Sequence, residues 1–298
     1  MNIPKPSHSP EELAGLVPDI RYDNVFKAIF ADEGNEKSLK ALSGFLSAVI
    51  ERPLTVVGIL QNEPAPEFAS EKQIRYDINC VFGDGSRCNA EMTLHPVRCE
   101  PIRIEYYACK AHVGQRTKGK KFGELVPTYQ VSVLNDDILA DTAYLHCFSL
   151  YDPVRKISLS GHIRVFTLEL SKVKKIAKNK PVRKMTPAER WAAYFLYNAD
   201  GSVSARRLIK KIAKEEESVK MATEVMQAFS EDEKKYYLLL SQMKYEMDHC
   251  NLMIDAEERG EERGIQIGRE DERRKSEAVI ADKDAEIARL RALIADSQ

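Results

Sequence analysis

Between Ile74 and Phe82 the chain alternates: Ile74, Tyr76, Ile78, Cys80 and Phe82 are interleaved with Arg75, Asp77, Asn79 and Val81. A period of two predicts a strand with one mainly apolar face. Gly83-Asp84-Gly85-Ser86 tolerate positive φ, so a reversal is expected there. Beyond it Glu91, Thr93 and His95 fall on one face of a second strand, and Met92 and Leu94 on the other. Upstream the period changes. Val25, Phe26, Ile29 and Phe30 are at helical spacing, and Leu39, Leu42, Leu46, Val49 and Ile50 resume it after Gly34-Asn35, which predicts two helices or one broken helix. Residues 54–60 are rich in β-branched side chains and predict a first strand, with Pro53 stopping the helix before it.

Downstream, residues 103–113 read as a helix with Arg103, Tyr107 and Lys110 along one side. Residues 128–134 return as a strand, and alternation at 142–150 and 162–170 predicts two more strands at one edge. The expected class is therefore α/β with a mixed sheet. Thr186-Pro-Ala-Glu189 is a capping box with Pro at the first helical position, opening an apolar segment around Trp191, Phe195 and Leu196. Ser230-Glu-Asp-Glu233 is a second, ahead of a stripe of Tyr237, Leu240, Met243, Met247 and Leu252 that reads as packing. From Glu257 charge dominates, Gly260, Gly264 and Gly268 recur every four residues, and Ile280, Ile287 and Ile294 repeat at seven. A short, imperfect coiled coil that favours self-association is expected. The implied organisation is a flexible N-terminal arm (1–17), an α/β core (18–171), a basic linker (172–185), a small helical domain (186–256) and a charged helical tail (257–298).

Composition changes this picture little. In 298 residues, 43% are hydrophobic and 31% charged, with a formal net charge of −1, so attraction to nucleic acid must come from local patches. Two such patches stand out: the turn Lys118-Gly-Lys-Lys121, and residues 172–184, the most basic stretch and one without aromatics. Each reads either as a phosphate contact or as a solvated surface. The six cysteines lack paired metal-ligand spacing, which argues against zinc. The start of the chain lacks a basic patch followed by an apolar run, and no segment is long enough to span a bilayer. A reduced, cytoplasmic protein without membrane contact is expected.

The chemistry centres on Asp77 and Glu91, one on each hairpin strand. Two carboxylates held together by a ladder repel unless a cation sits between them, and Mg²⁺ takes such hard oxygen ligands. An ordinary hairpin with a solvated acidic face has the same spacing, so both readings stand on spacing alone.

Several pieces resemble the Rpn-type recombination-promoting nucleases, transposase-like members of the PD-(D/E)XK superfamily. They are Asp23-Asn-Val-Phe-Lys-Ala-Ile-Phe30, Tyr76-Asp77, Ala90-Glu91-Met-Thr93 and Arg103-Ile-Glu-Tyr-Tyr-Ala-Cys-Lys110, joined by the 119–125 turn, the 186–196 helix and the Glu-Arg-Gly repeats of the tail. The resemblance implies a restriction-endonuclease-like core and a Mg²⁺- or Mn²⁺-dependent DNA endonuclease, tied to recombination, mobile elements or defence against foreign DNA. It implies Asp77 and Glu91 as metal ligands, with Asp23 either completing the shell or serving as a helix N-cap. Thr93 stands where the motif usually has Lys or Gln, and a hydroxyl lends little electrostatic help to an attacking water. Arg103 and Lys110 are candidates to restore the charge and His95 is a third; otherwise only a DNA-binding or protein-interaction scaffold remains. Arg103, Lys118, Lys120 and Lys121 are the expected phosphate contacts, and the tail the expected route to a homo-oligomer.

Overall fold

A computed structural model of the chain describes residues 17–63, 73–115 and 121–295. Most of the N-terminal arm, and Lys118 and Lys120, lie outside them. Contacts divide the chain into a body ending at Lys244 and a helical unit from Tyr245 onward.

The body opens with α1 (Asp23–Phe30) and α2 (Glu36–Ile50). Tyr22 is the N-cap of α1, and Asp23 is its first helical residue, so the N-cap role expected for Asp23 does not hold. Then come β1 (Val56–Ile59), β2 (Ile78–Phe82) and β3 (Arg87–Thr93), followed by α3 (Glu100–Val113) and β4 (Thr128–Leu134). Strand β5 (Leu145–Ser149), a small hairpin of β6 (Tyr151–Asp152) and β7 (Ile157–Ser158), and β8 (Ile163–Glu169) complete the strands. The six-stranded sheet runs β1-β2-β3-β4-β8-β5. Its first three strands and its β5–β8 edge are antiparallel, while β3, β4 and β8 are parallel. This mixed sheet flanked by helices is restriction-endonuclease-like. The β2–β3 reversal uses Gly85 at φ 84°, in the left-handed region that glycine enters without a Cβ clash.

One face of the sheet presents Ile78, Cys80, Ala90, Val131, Val133, Phe166 and Leu168 to a single core cluster. Against it lie Phe26 and Phe30 of α1, Phe45 of α2, and Trp191 and Phe195 of α5 (Pro187–Tyr197), the last two with ring centroids 5.5 and 5.2 Å from Phe45. The helix after the first capping box thus buries its apolar side in the same core as α1 and α2. The Thr186 side chain accepts from the Glu189 amide, and the Glu189 carboxylate accepts from Thr186 N.

Residues 172–185, expected as a linker, are largely ordered as α4 (Leu170–Asn179) and a 3-10 turn (Val182–Lys184). Leu170, Val173, Ile176 and Ala177 recur at helical spacing beneath the lysines, and the first two are fully buried. Helices α6 (Val203–Glu215) and α7 (Glu217–Gln227) follow. Helix α7 packs on α2 so closely that a Cβ at Gly44 would lie 2.2 Å from that of Ser218. Helix α8 (Glu231–Ala295) begins with the second capping box, Ser230 with Glu233. In the unit from Tyr245, Gly260, Gly264 and Gly268 face open space, and Ile265, Ile280 and Ile287 are exposed. No helix among the described residues is long and apolar enough to cross a membrane.

Candidate metal and phosphodiester site

The second face of the sheet is polar yet buried. Asn89, Glu91, Thr128, Gln130, Ser132 and Thr167 are all 6% exposed or less. The strand registers bring Asn89 beside Gln130 and Glu91 beside Ser132, with Thr167 on the far side of Ser132. Asn89 Nδ2 donates to Glu91 Oε1 and to Gln130 Oε1, and Gln130 Nε2 donates to Ser132 Oγ. Helix α3 covers this face. His112, in its last turn, and Gln115, just past its C-cap Gly114, bond Thr128 Oγ1.

At the rim, the β2–β3 register pairs Ile78 with Ala90, and the next residues outward are Asp77 and Glu91. They interlock. Asp77 N donates to Glu91 Oε1 at 3.1 Å, and Met92 N donates to Asp77 Oδ2 at 3.0 Å. Each carboxylate is anchored to the other's strand through one oxygen. Asp77 Oδ1 holds the Lys27 ammonium at 2.9 Å, and Glu91 Oε2 is the oxygen left over. Burial pushes the Glu91 carboxyl up to about 8, and the negative charge of Asp77 adds to the shift. The donor set is two hard carboxylates with one oxygen each turned from the main chain, short of positive charge at Glu91. A divalent cation of the Mg²⁺ type fits it.

Lys27 links this pair to Asp23, 3.7 Å away on the same helix, and Asp23 also holds Lys244 at 2.8 Å. Burial alone would raise the Asp23 carboxyl, but the ammonium of Lys244, with Lys27 behind it, holds it below the ordinary range. Asp23 is therefore brought toward Asp77, with a lysine between them.

The Thr93 hydroxyl, two residues beyond Glu91, accepts from Arg103 Nη2 at 2.8 Å. Glu100, 2% exposed, holds the same guanidinium at 2.6 Å, and the Tyr107 ring lies 5.6 Å beneath it. Burial works against the charge on Arg103, yet Glu100, with a further contribution from Glu91, raises its pKa. A cation thus stands directly on the Thr93 hydroxyl. Lys110, two turns along α3, lines a neighbouring cleft of about 330 Å³ with Asn79, Arg87, Asn89 and Thr128. His95 is half-buried in the loop after β3, and Lys121 is exposed ahead of the 3-10 turn Phe122–Glu124.

The residues that sequence reasoning missed are Lys27, Lys244, Asn89, Gln130 and Glu100. Lys27 had a local signal, since it lies four residues after Asp23 on the polar side of an amphipathic helix. Lys244 had none, because 221 residues separate it from its partner. A second cluster, Asp141, His146 and Glu169, brings ligand atoms within 4.8 Å of one another. Lys172 Nζ contacts both of its carboxylates and already supplies the counter-charge, while Glu169 also receives the amides of Ile138 and Leu139.

A family model described as PD-(D/E)XK nuclease family transposase matches residues 20–256, which include every residue of the pair's surroundings named above. No curated protein and no solved structure matches the chain.

Proposed function

Because the chain belongs to the PD-(D/E)XK nuclease family transposases, we propose that it is a Mg²⁺-dependent DNA endonuclease whose metal ligands are Asp77 and Glu91. The observation that carries this reading is the interlocked pair at the rim of β2 and β3, short of one positive charge, with Arg103 seated on Thr93 beside it. Bound there, Mg²⁺ or Mn²⁺ would activate water and stabilise charge on the phosphate being cleaved. The chain's own residues do the rest. Asn89 and the Asp77 amide fix Glu91 Oε1, so that Oε2 is presented in one orientation. Arg103 stands in for the motif's lysine, with Thr93 and Glu100 as its positioning residues. Lys27 neutralises Asp77 and also reaches Asp23, so its ammonium holds the place of a counter-charge that a divalent cation on Asp77 would supply.

Supercoiled plasmid with the purified protein and Mg²⁺ tests this. Nicking or linearisation is expected for wild type, and Asp77→Asn or Glu91→Gln should lower the rate by more than about 10²-fold, beyond the range for losing a residue that only supports a metal ligand. Cleavage that survives either change sinks the site. The second reading, a scaffold that binds DNA without cutting it, is favoured by Thr93 alone. A wild type that does not cut, together with a Thr93→Lys protein that does, would establish it.

The helix from Tyr245 onward mediates self-association, supported by the exposed Ile265, Ile280 and Ile287; truncation after Asp255 should lower the solution mass, and an unchanged mass removes that role. A reducing cytoplasmic setting is supported by Cys80, Cys88, Cys99, Cys109 and Cys147, all free thiols, of which Cys80 and Cys88 are buried ladder partners.

A further inference from the structure

Away from the strands that hold the acidic pair, α4, the 3-10 turn after it and α6 enclose a cleft of about 650 Å³. One wall carries Lys178 and Arg183, the other Arg207, Lys211 and Lys214. All five are exposed, and none of their side chains has an ion-pair or hydrogen-bond partner among the described residues. A sixth lining cation, Lys180, is held by Glu189 at 2.6 Å, and the one lining acid is Glu215. In a chain of net charge −1, five unpaired cations in one concavity repel each other, and the field they focus draws an anion into the cleft.

The row on α6 has a simple origin. Ala205 and Ile212 turn inward, which leaves positions 207, 211 and 214 at i, i+4 and i+7 along an outer side. They span about 10 Å at the helical rise, about three phosphates at the 3.4 Å spacing of one strand of duplex DNA. Ala177, Pro181, Val182 and Leu208 provide an apolar floor, and no aromatic side chain lines the cleft. Base stacking therefore has no platform here, whereas a phosphate backbone needs none.

We infer that this cleft is a sequence-independent seat for the phosphate backbone of duplex DNA, separate from the acidic pair. The inference rests on the reading of DNA as substrate for its choice of ligand, but not on cleavage. The test is binding of a fluorescent 30-base-pair duplex by the full-length protein in EDTA, across a salt series. Arg207→Ala/Lys211→Ala/Lys214→Ala should weaken binding by about 10-fold or more at moderate salt and flatten the log–log salt slope by about 2.7, or 0.9 per lost contact. Should that protein fail to fold by its thermal melt, Lys178→Ala/Arg183→Ala on the opposite wall serves, with a slope change of about 1.8. A charge-matched control, Lys37→Ala/Lys40→Ala/Lys220→Ala on α2 and α7, should keep the wild-type slope. No duplex binding by wild type, an equal loss in the control, or an unchanged slope in the cleft variants each overturns the inference. Preferential binding of anionic vesicles by the cleft, with duplex binding unaffected by its variants, overturns it in favour of a membrane surface. Loss of plasmid cleavage in Glu91→Gln with intact duplex binding separates the two sites.

Discussion

The two faces of the central sheet are about equally buried and written in different alphabets. Toward α1, α2 and α5 lie Ile78, Ala90, Val131, Val133 and Phe166; toward α3 lie Asn89, Glu91, Gln130, Ser132 and Thr167. Burying the first set is favourable wherever it packs. Burying the second is costly unless each polar atom finds a partner, and Asn89 Oδ1 and Thr167 Oγ1 have none among the described residues. A second apolar face would serve stability better, and the polar face is the one on which the proposed chemistry rests. The α1/α2/α5 side holds the molecule together and the α3 side holds a charged arrangement in place.

The largest expected effect that would break this division is on the apolar side. Phe45 packs against Phe26, Phe30, Trp191 and Phe195, so Phe45→Ala should cost about 3–5 kcal/mol and lower the melting temperature by roughly 10 °C. Duplex cleavage per folded molecule should stay within a few-fold of wild type. A Phe45→Ala protein that melts normally but cuts poorly would mean that the faces are not separable in this way.

Arg103 comes next, on the polar side. Arg103→Ala removes the guanidinium on Thr93 and leaves Glu100 buried without its cation. The rate of plasmid cleavage should fall about 10²-fold, in the range for loss of one preorganised electrostatic contact. Arg103→Lys should recover part of it, because a point charge replaces the fork with fewer bonds. If Arg103→Ala instead changes only the amount of DNA bound, the residue is a phosphate contact, the other of the two roles expected for it from the sequence.

How much of this was legible follows from which interactions are local. Alternation found β2, β3 and β4 because a half-apolar strand writes its two faces directly into the chain. It overran the first two, since β2 begins at Ile78 rather than Ile74 and β3 ends at Thr93, short of His95, whereas residues 128–134 alternate Thr, Gln and Ser with Tyr and Val and form β4 over that full length. The Asp77–Glu91 juxtaposition was legible for the same reason, since a tight turn fixes the hairpin register. Helix α4 was hidden because lysines at 172, 174, 175 and 178 mask its apolar repeat in a composition-based reading. The β6–β7 hairpin, with two residues per strand, is too short to show a period. Arg103 was within reach, ten residues from Thr93 across one loop. The pairing of Asp23 with Lys244 was not, because it depends on where α8 begins its course beside α1, and no local pattern encodes that.

The smallest effect is the most specific to the pair. Glu91 rises from an ordinary value of 4.5 to about 8 through burial, then through Asp77. Its folded pKa is above its unfolded one, so between those two values the folded state holds the proton that the unfolded state has lost. Stability from this group is complete below about 4.5 and is lost as pH climbs toward 8. Glu91→Gln keeps the size, removes the titration and should melt higher than wild type at pH 8 by several degrees, with the gap closing toward pH 5. Mg²⁺ should close the same gap at pH 8 for wild type and leave the variant unmoved, because a bound cation replaces the proton as the neutralising partner. Thermal melts at the two pH values, with and without Mg²⁺, read all four states without relying on cleavage. A variant whose advantage over wild type is the same at pH 5 and pH 8 would place the Glu91 carboxyl in its ordinary range and remove the like-charge pair on which the polar face is built.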